Sequence, residues 1–399
     1  MAVRRRTRSP GELAPAATVG ARAIDVVTRQ AGLVRANLAA AIDGRDPEGV
    51  HDMRVASRRL RASLAVLEPW LPAADLARVN PALRSVTRAL GAVREIDVDR
   101  ALLARMRVRS TPARAIALED VDARLVRRMR RARTRMMGRF ARVDLDRLDD
   151  RLARLVEHLR ASALAAAASR PLDAGPELAA SEGAGTGGAD EPPIETWFFP
   201  GPQAGRSPAG APVVSITHHP AAPIAELLRE VGERAEAAAA AIVSHPVPPT
   251  IGSPEAHEAL HRVRIATKKL RYLVEIVAPE LGSAGSALVK RLRGLQDHMG
   301  DFHDDVVLDA ELADAIRRAS NRGRRLLASE LRRLRRNRHR ALVRDEQAVR
   351  EALDELRARD FAADLRAAFA TALAPRPAPE RNDAAAGPAP AGDRAAGRA

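Results

Sequence analysis

Two stretches of the chain, 210 residues apart, carry the same spacing of basic residues. The first reads His51-Asp-Met-Arg54-Val-Ala-Ser-Arg58-Arg59-Leu60-Arg61, and the second reads His261-Arg-Val-Arg264-Ile-Ala-Thr-Lys268-Lys269-Leu270-Arg271. In each copy a histidine is followed by a cation at +3, +7, +8 and +10. Guanidinium and ammonium groups donate charge-assisted hydrogen bonds to phosphate oxygens. The repeated spacing therefore predicts two surfaces that bind an anion.

Helical geometry places most of these cations on one face of each segment. With a turn of about 100° per residue, two stripes form. The first basic row is His51, Arg54, Arg58 and Arg61, and the second is His261, Arg264, Lys268 and Arg271. Arg59 and Lys269 lie at the edges. The opposite faces are apolar; they comprise Met53, Ala56, Leu60, Leu64 and Leu67 in the first copy, and Val263, Ala266, Leu270, Val274 and Val277 in the second.

A solvated helix face is the simplest alternative for each basic row. Such faces usually mix charges of both signs, whereas neither row contains an acid. Like charges one turn apart repel by a few tenths of a kcal/mol per pair. We therefore favour ligand binding over simple solvation.

Composition indicates a polyanionic partner. The formal net charge is +15, and all but three of the 66 basic residues are Arg. Nucleic acid, a phosphate polymer or anionic lipid would satisfy this charge. Two further runs, 124–142 and 331–344, contain Arg but no acid, and each could be a solvated face or a nucleic-acid patch. The positions that recur on one face of these runs include Arg128, Arg131, Arg135, Arg332 and Arg336, with Arg335 beside them.

Several classes of protein are disfavoured. The chain has no Cys, which excludes disulfides, thiolate nucleophiles and cysteine-based zinc sites. The basic start lacks the apolar region of a secretory signal. No uncharged apolar run approaches the roughly 18 to 20 residues of a membrane span. We expect a cytoplasmic protein.

The periodicity predicts an all-α protein without strands. We expect a disordered basic N-terminus over 1–16, a helical bundle over 17–169, a Gly/Pro-rich linker over 170–220, a second bundle over 221–374 and a disordered tail over 375–399. In the second bundle, separate helices are predicted over 253–277 and 286–319, then over 322–343 and 345–374. Each half has four or five amphipathic helices, which suffices for a bundle.

A third repeated element follows each basic row. Leu90-Gly91-Ala-Val-Arg94-Glu95 corresponds to Met299-Gly300-Asp-Phe-His303-Asp304. The carboxylates could orient neighbouring Arg or His side chains. A helix bend with a local ion pair is an equal alternative.

Together these motifs resemble the CHAD family, the conserved-histidine α-helical domain. The resemblance rests on the doubled H-x-x-R-V/I-x-x-K/R-K/R-L-R pattern and covers roughly residues 20–373. It implies two pseudo-symmetric four-helix-type bundles, arising from an internal duplication, with a basic cavity or groove between them. It also implies non-catalytic binding of inorganic polyphosphate and association with polyphosphate granules and their proteins.

The resemblance assigns polyphosphate contact to the matching positions. These are His51, Arg54, Arg58, Arg59, Arg61, His261, Arg264, Lys268, Lys269 and Arg271, with Arg94 and His303 from the third element. We add Arg128, Arg131, Arg135, Arg332, Arg335 and Arg336 from the two arginine runs. The chain departs from the family pattern in having Glu95 in place of Asp and in its long linker. It also lacks the E-x-E-x-K strand of relatives fused to a triphosphate tunnel domain.

Two alternatives were weighed against polyphosphate. Nucleic-acid binding through the phosphate backbone remains open, although aromatic residues make up only 2% of the chain and no helix-turn-helix is evident. A metalloenzyme is suggested by His257-Glu258-Ala-Leu-His261, which matches H-E-x-x-H. The first copy has Pro47 and Glu48 at the corresponding positions, and Arg264 and Lys268 would repel a cation. We therefore expect no metal, no cofactor and no catalysis.

The histidines predict a pH dependence. A protonated imidazole donates more strongly to phosphate. Binding is accordingly expected to be tighter at pH 6 than at pH 8.

Overall fold

The computed structural model describes residues 15–108, 110–168 and 219–374, and within these ranges the regular structure is helical. The sequence-predicted N-terminal arm, linker and tail lie almost wholly outside the described residues. The helices of the first half are α1 (Val19–Ala36), α2 (Leu38–Asp43), α3 (Pro47–Val66), α4 (Ala73–Arg107), α5 (Pro112–Val143) and α6 (Leu145–Ala168). Those of the second half are α7 (Ile224–Ser244), α8 (Pro254–Asn321), α9 (Arg325–Ala358) and α10 (Phe361–Leu373).

Side-chain caps fix the starts of the two helices that carry the basic rows. The Asp46 carboxylate accepts a hydrogen bond from the Glu48 amide at 2.9 Å at the start of α3. The Ser253 hydroxyl accepts one from the Ala256 amide at 3.1 Å at the start of α8. Each helix has Pro at its first position, where the missing amide hydrogen costs nothing. The start predicted for the helix over 253–277 is therefore confirmed.

Two predicted helix boundaries in the second half are wrong. The break predicted near 344 lies instead at 359–360, because Arg344-Asp345 contains no breaker and both sides share one apolar stripe along α9. Asp360 adopts a left-handed conformation (φ 40°) and caps α10 through the Ala363 amide. The gap predicted at 278–285 is a kink at Gly282 (φ 61°, ψ −134°) inside α8.

The apolar faces predicted for α3 and α8 are buried. Met53, Leu60 and Leu64 are fully inaccessible, as are Leu270 and Val274. Buried residues from both halves form one continuous hydrophobic core that extends from Val19 to Phe369. The basic faces of α3 and α8 therefore point away from the core.

Backbone hydrogen bonds between the N-terminal ends of α1 and α7 hold the two halves together. The Val19 amide donates to the Ala222 carbonyl at 3.0 Å, and the Ile224 amide donates to the Ala17 carbonyl at 3.1 Å. Close by, the Arg22 guanidinium forms a buried ion pair with Glu280 from α8. These contacts fix α3 relative to α8.

One helix meets a membrane-span criterion by length and composition alone. An 18-residue window of α8 has a mean hydropathy of 1.2, and 44% of that window is buried within the protein. Buried core helices pass the same test. The expectation of no membrane span therefore stays a prediction.

Candidate functional site

The first basic row and the second basic row approach each other where α3 packs against the first part of α8. The Arg58 guanidinium carbon lies 5.8 Å from the ring centroid of Tyr272, on the other helix. Between the helices is a cavity of about 210 Å³, here called the cation-lined cavity. It is lined by Arg58, Arg61, Ala62, Ile265, Lys268, Lys269 and Tyr272. Four of its seven lining residues are basic and none is acidic.

Arg54 and Arg264 bring positive charge from the two halves into one neighbourhood. Burial is the main cause that lowers the pKa of Arg54 to about 10, and the like charges of Arg58 and Arg264 contribute. Burial also lowers the pKa of Arg264, with Arg58 contributing. The Nε atom of each arginine is buried without a hydrogen-bond partner in the protein. Since an unsatisfied buried donor costs about 1–3 kcal/mol, both groups favour an incoming acceptor.

Lys268 lies among four arginines from both halves. Burial is the main cause that lowers its pKa to about 6, and the like charges of Arg264, Arg58, Arg54 and Arg271 add to the effect. A lysine with this pKa is mostly neutral at pH 8. The sequence pattern alone had assigned it a fixed positive charge.

The histidines lie at the edge of the same region. Burial lowers the pKa of His51, and Arg94 adds to this. The rings of His261 and His303 are 5.4 Å apart. Burial, Arg264 and His261 lower the pKa of His303 to about 4. His51 and His303 are therefore largely neutral near pH 7 in the absence of ligand.

The third repeated element contributes an arginine and carboxylates to the site. Burial raises the pKa of Asp304, while Arg264 and Arg94 oppose that shift because both are close. Arg94 also lies 3.9 Å from Glu48. Asp304 thus borders arginines from both halves, which favours the orienting role over a purely local ion pair.

Two residues that were predicted to contact polyphosphate, Arg59 and Arg271, interact with side chains of the protein instead. The Arg59 Nε is 3.6 Å from a Glu275 carboxylate oxygen. Arg271 pairs with Glu275, donates to the Gln296 side-chain carbonyl at 2.7 Å and lies 4.8 Å from the Tyr272 ring centroid. These two cations are therefore directed towards Glu275 rather than towards the cation-lined cavity.

Two arginines that were not predicted extend the first basic row. Arg84 and Arg88 on α4 are exposed and close enough to Arg61 that, after burial, they are the main causes lowering its pKa to about 10. Their i,i+4 spacing without an intervening acid was a usable signal. The position of Tyr272 between Arg58 and Arg271 depends on the packing of the halves.

The arginine runs of α5 and α9 do not converge on the cavity. Arg114 lies 3.8 Å from Glu330, and Asp120 lies 2.9 Å from Arg324, so the two helices are antiparallel. The runs consequently extend in opposite directions from this contact.

Several members of these runs already have partners. Arg128 pairs with Glu311, and Arg332 donates to the Ser320 hydroxyl at 2.9 Å. Arg335 makes two 2.8 Å hydrogen bonds to Asp309, which raise its pKa. Arg131, Arg135 and Arg336 are exposed as well.

The H-E-x-x-H motif does not form a compact ligand group in the described residues. His257 lies 3.5 Å from Glu346 and stacks edge-on against Phe302. The described ranges do contain one set of three potential ligands, Glu48, His51 and Asp52, whose ligand atoms lie within 4.8 Å of one another. Arg94 and Arg54 contribute positive charge beside His51, which disfavours a cation there.

A family model for the CHAD domain matches residues 25–313, which is most of the chain. The chain belongs to the CHAD domain family. A crystal structure of the CHAD domain from the plant Ricinus communis is similar, with a TM-score of 0.54 and 19% identity, covering 87% of this chain and 95% of that one. PptA from Streptomyces chartreusis matches with a TM-score of 0.53 and 18% identity, covering 85% and 99%. These likenesses show that the CHAD chain shares their fold; no match was found among curated proteins.

Proposed function

We propose that this CHAD protein binds inorganic polyphosphate, without catalysis, between the two basic rows. The observation that carries the proposal is the pair Arg54 and Arg264, whose buried Nε donors lack acceptors in the protein and which lie close together from opposite halves. Phosphate oxygens would satisfy both donors and offset the repulsion between the cations. Arg58 and Lys268 complete the central group.

The chemistry of the site suits a phosphate polymer better than nucleic acid. Proteins that hold single strands stack bases on aromatic rings. The aromatic ring beside the cation-lined cavity is Tyr272, which already contacts Arg58 and Arg271. A flexible chain carrying about one charge per phosphate needs a line of cations and no stacking platform.

The wider proposal follows the family resemblance. We propose that the two halves arose by internal duplication and that the groove between them is the polyphosphate path. His51, Arg61, Arg94, His261, Lys269 and His303 would border this path, and Arg84 and Arg88 would extend it. Location in the cytoplasm at polyphosphate granules, together with granule proteins, would follow from binding.

Salt-dependent binding of long-chain polyphosphate tests the proposal. The variant Arg54→Ala/Arg58→Ala/Arg264→Ala/Lys268→Ala should bind at least about a hundredfold more weakly, since charge-assisted contacts each contribute roughly 1.5–3 kcal/mol. The slope of log affinity against log salt should become shallower by roughly 0.7 for each lost contact. Titration calorimetry at several salt concentrations measures both quantities.

A charge-matched control separates this site from net charge. Arg105, Arg142, Arg229 and Arg366 are exposed and lie on four other helices. Replacing all four by Ala removes four basic residues, as the test variant does, but from outside the groove. This control should bind within about threefold of the parent. Equal losses in both variants, or duplex DNA displacing polyphosphate at equal phosphate concentration, would refute the proposal.

A further inference from the structure

A second cavity lies on another side of α3. Its volume is about 790 Å³, within the roughly 300–1,000 Å³ range of small-molecule sites. It lies between α1, α3 and the kinked part of α8, and Glu275 is on its wall. This feature is called the Glu275 cavity.

Positive charge dominates the wall of the Glu275 cavity. Its charged lining residues are Arg29, Arg59 and Arg293 against the single acid Glu275, an excess of two positive charges. Burial lowers the pKa of Arg29, and Arg59 lowers it further because the two guanidinium groups are close. Glu275 lies 3.0 Å from Arg293 and 3.6 Å from Arg59, and it also pairs with Arg271. One carboxylate therefore serves several arginines, while Arg29 has no ion-pair partner in the described part of the chain.

Polar atoms without partners point to a ligand at the same place. The Arg59 Nε and the Gln30 side-chain carbonyl oxygen are buried and find no hydrogen-bond partner in the protein. Both residues line the cavity. Together with the arginine pair, they supply donors and an acceptor for a group that enters from outside.

Much of the remaining wall is apolar, with hydroxyls from Ser63, Ser283 and Ser286. Val26, Ile276, Pro279 and Val289 line the cavity beside the charged groups. A bare phosphate chain makes no use of such a surface, whereas the organic body of a small ligand would bury apolar area there.

We infer that the Glu275 cavity binds a small organic polyphosphate of nucleotide size, with its phosphates on Arg29, Arg59 and Arg293 and its organic part against Val26, Ile276 and Val289. The site is distinct from the groove between the basic rows because Arg54, Arg264 and Lys268 do not line it, although Tyr272 borders both cavities. A ligand bound in the Glu275 cavity would contact both α3 and α8. The inference does not depend on polyphosphate binding by the basic rows.

Calorimetry on the full chain tests the site with ATP as the probe. ATP should bind, and Arg29→Gln/Arg293→Gln should weaken binding by about tenfold or more, a loss of roughly 1.4 kcal/mol. The charge-matched control Arg105→Gln/Arg366→Gln should change it by less than about threefold. Ser286 is exposed on the cavity wall, so Ser286→Trp should block ATP without removing a charge. Circular dichroism verifies that each variant is folded.

Two further measurements test whether this cavity, and not the groove between the basic rows, binds an organic polyphosphate. Tripolyphosphate should bind this site more weakly than ATP because it lacks an organic body, and Arg54→Ala/Arg264→Ala should retain ATP binding. The absence of ATP binding at millimolar concentration would overturn the inference. So would loss of ATP binding in Arg54→Ala/Arg264→Ala, equal affinity for tripolyphosphate and ATP, or full binding by Ser286→Trp.

Discussion

Lys268 is the residue whose charge state depends most directly on the convergence of the two halves. Its neighbours on α3 are Arg54 and Arg58, and those on α8 are Arg264 and Arg271. With a pKa of about 6 it is mostly deprotonated above pH 7 in the free protein. A bound polyanion would stabilise the ammonium form, so binding at neutral pH should take up a proton.

The sign of the resulting pH dependence can be worked out. Between the free pKa near 6 and the higher pKa of the bound state, affinity should fall by up to about tenfold per pH unit as pH rises. Tighter binding at pH 6 than at pH 8 is thus still expected, but through Lys268 rather than His303, whose pKa is about 4. Calorimetry in buffers of different ionisation enthalpy measures the proton uptake.

Matched variants identify the titrating residue. Lys268→Met should abolish most of the pH slope between pH 6.5 and 8.5, whereas His303→Gln should leave it nearly intact. A slope that disappears in His303→Gln and persists in Lys268→Met would show that an imidazole is the titrating group.

At the scale of single helices, much of the arrangement was predictable. The repeat of apolar residues every 3.6 positions identified the buried faces of α3 and α8, where Met53, Leu60 and Leu270 are inaccessible. The start predicted at 253 agrees with the cap that Ser253 forms at the beginning of α8. The i,i+4 spacing of Arg271 and Glu275 could have shown their pairing, but no local pattern could show that Arg59 turns towards the same acid across the interface.

Acidic residues on other helices also explain why members of the arginine runs are paired within the protein. Arg128 and Arg335 have the same spacing as ligand-binding cations, yet Glu311 and Asp309 hold them. Sequence spacing reports which residues share a helix face. It does not report which acids the neighbouring helix brings to that face.

The kink in α8 depends on Gly282. Its φ of 61° and ψ of −134° lie in a region that favours glycine, and a non-glycine residue there costs about 1–3 kcal/mol. Gly282→Ala should therefore lower the free energy of unfolding by that amount in urea titrations, although its Cβ would meet nothing within 4 Å.

A second glycine in α8 provides the control. Gly294 is exposed, and an added Cβ there also meets nothing within 4 Å. Gly294→Ala should be neutral or stabilise by roughly 0.5–1 kcal/mol, because alanine loses less backbone entropy in a helix. Equal effects of the two substitutions would mean that the backbone at Gly282 is not strained by a side chain.

For the molecule as a whole, the proposed polyphosphate path depends on a fixed relation between the halves. The bonds between the starts of α1 and α7 and the continuous core provide it. The motif repeat suggested two similar units. The ion pair that joins them, Arg22 with Glu280, lies outside every repeated motif and could not be predicted from them.

That ion pair gives the last prediction. Arg22 is inaccessible, and Glu280 accepts hydrogen bonds from its guanidinium and, at 3.0 Å, from the Ala16 amide. Glu280→Ala should reduce the free energy of unfolding by about 3–5 kcal/mol because it leaves a buried cation without its counter-charge. Glu157→Ala, which removes an exposed 2.6 Å pair with Arg160, should cost no more than about 1 kcal/mol. Urea titration compares the two. If Glu280→Ala unfolds like Glu157→Ala, the contact does not hold the halves together, and the alignment of the basic rows must rest on the shared core alone.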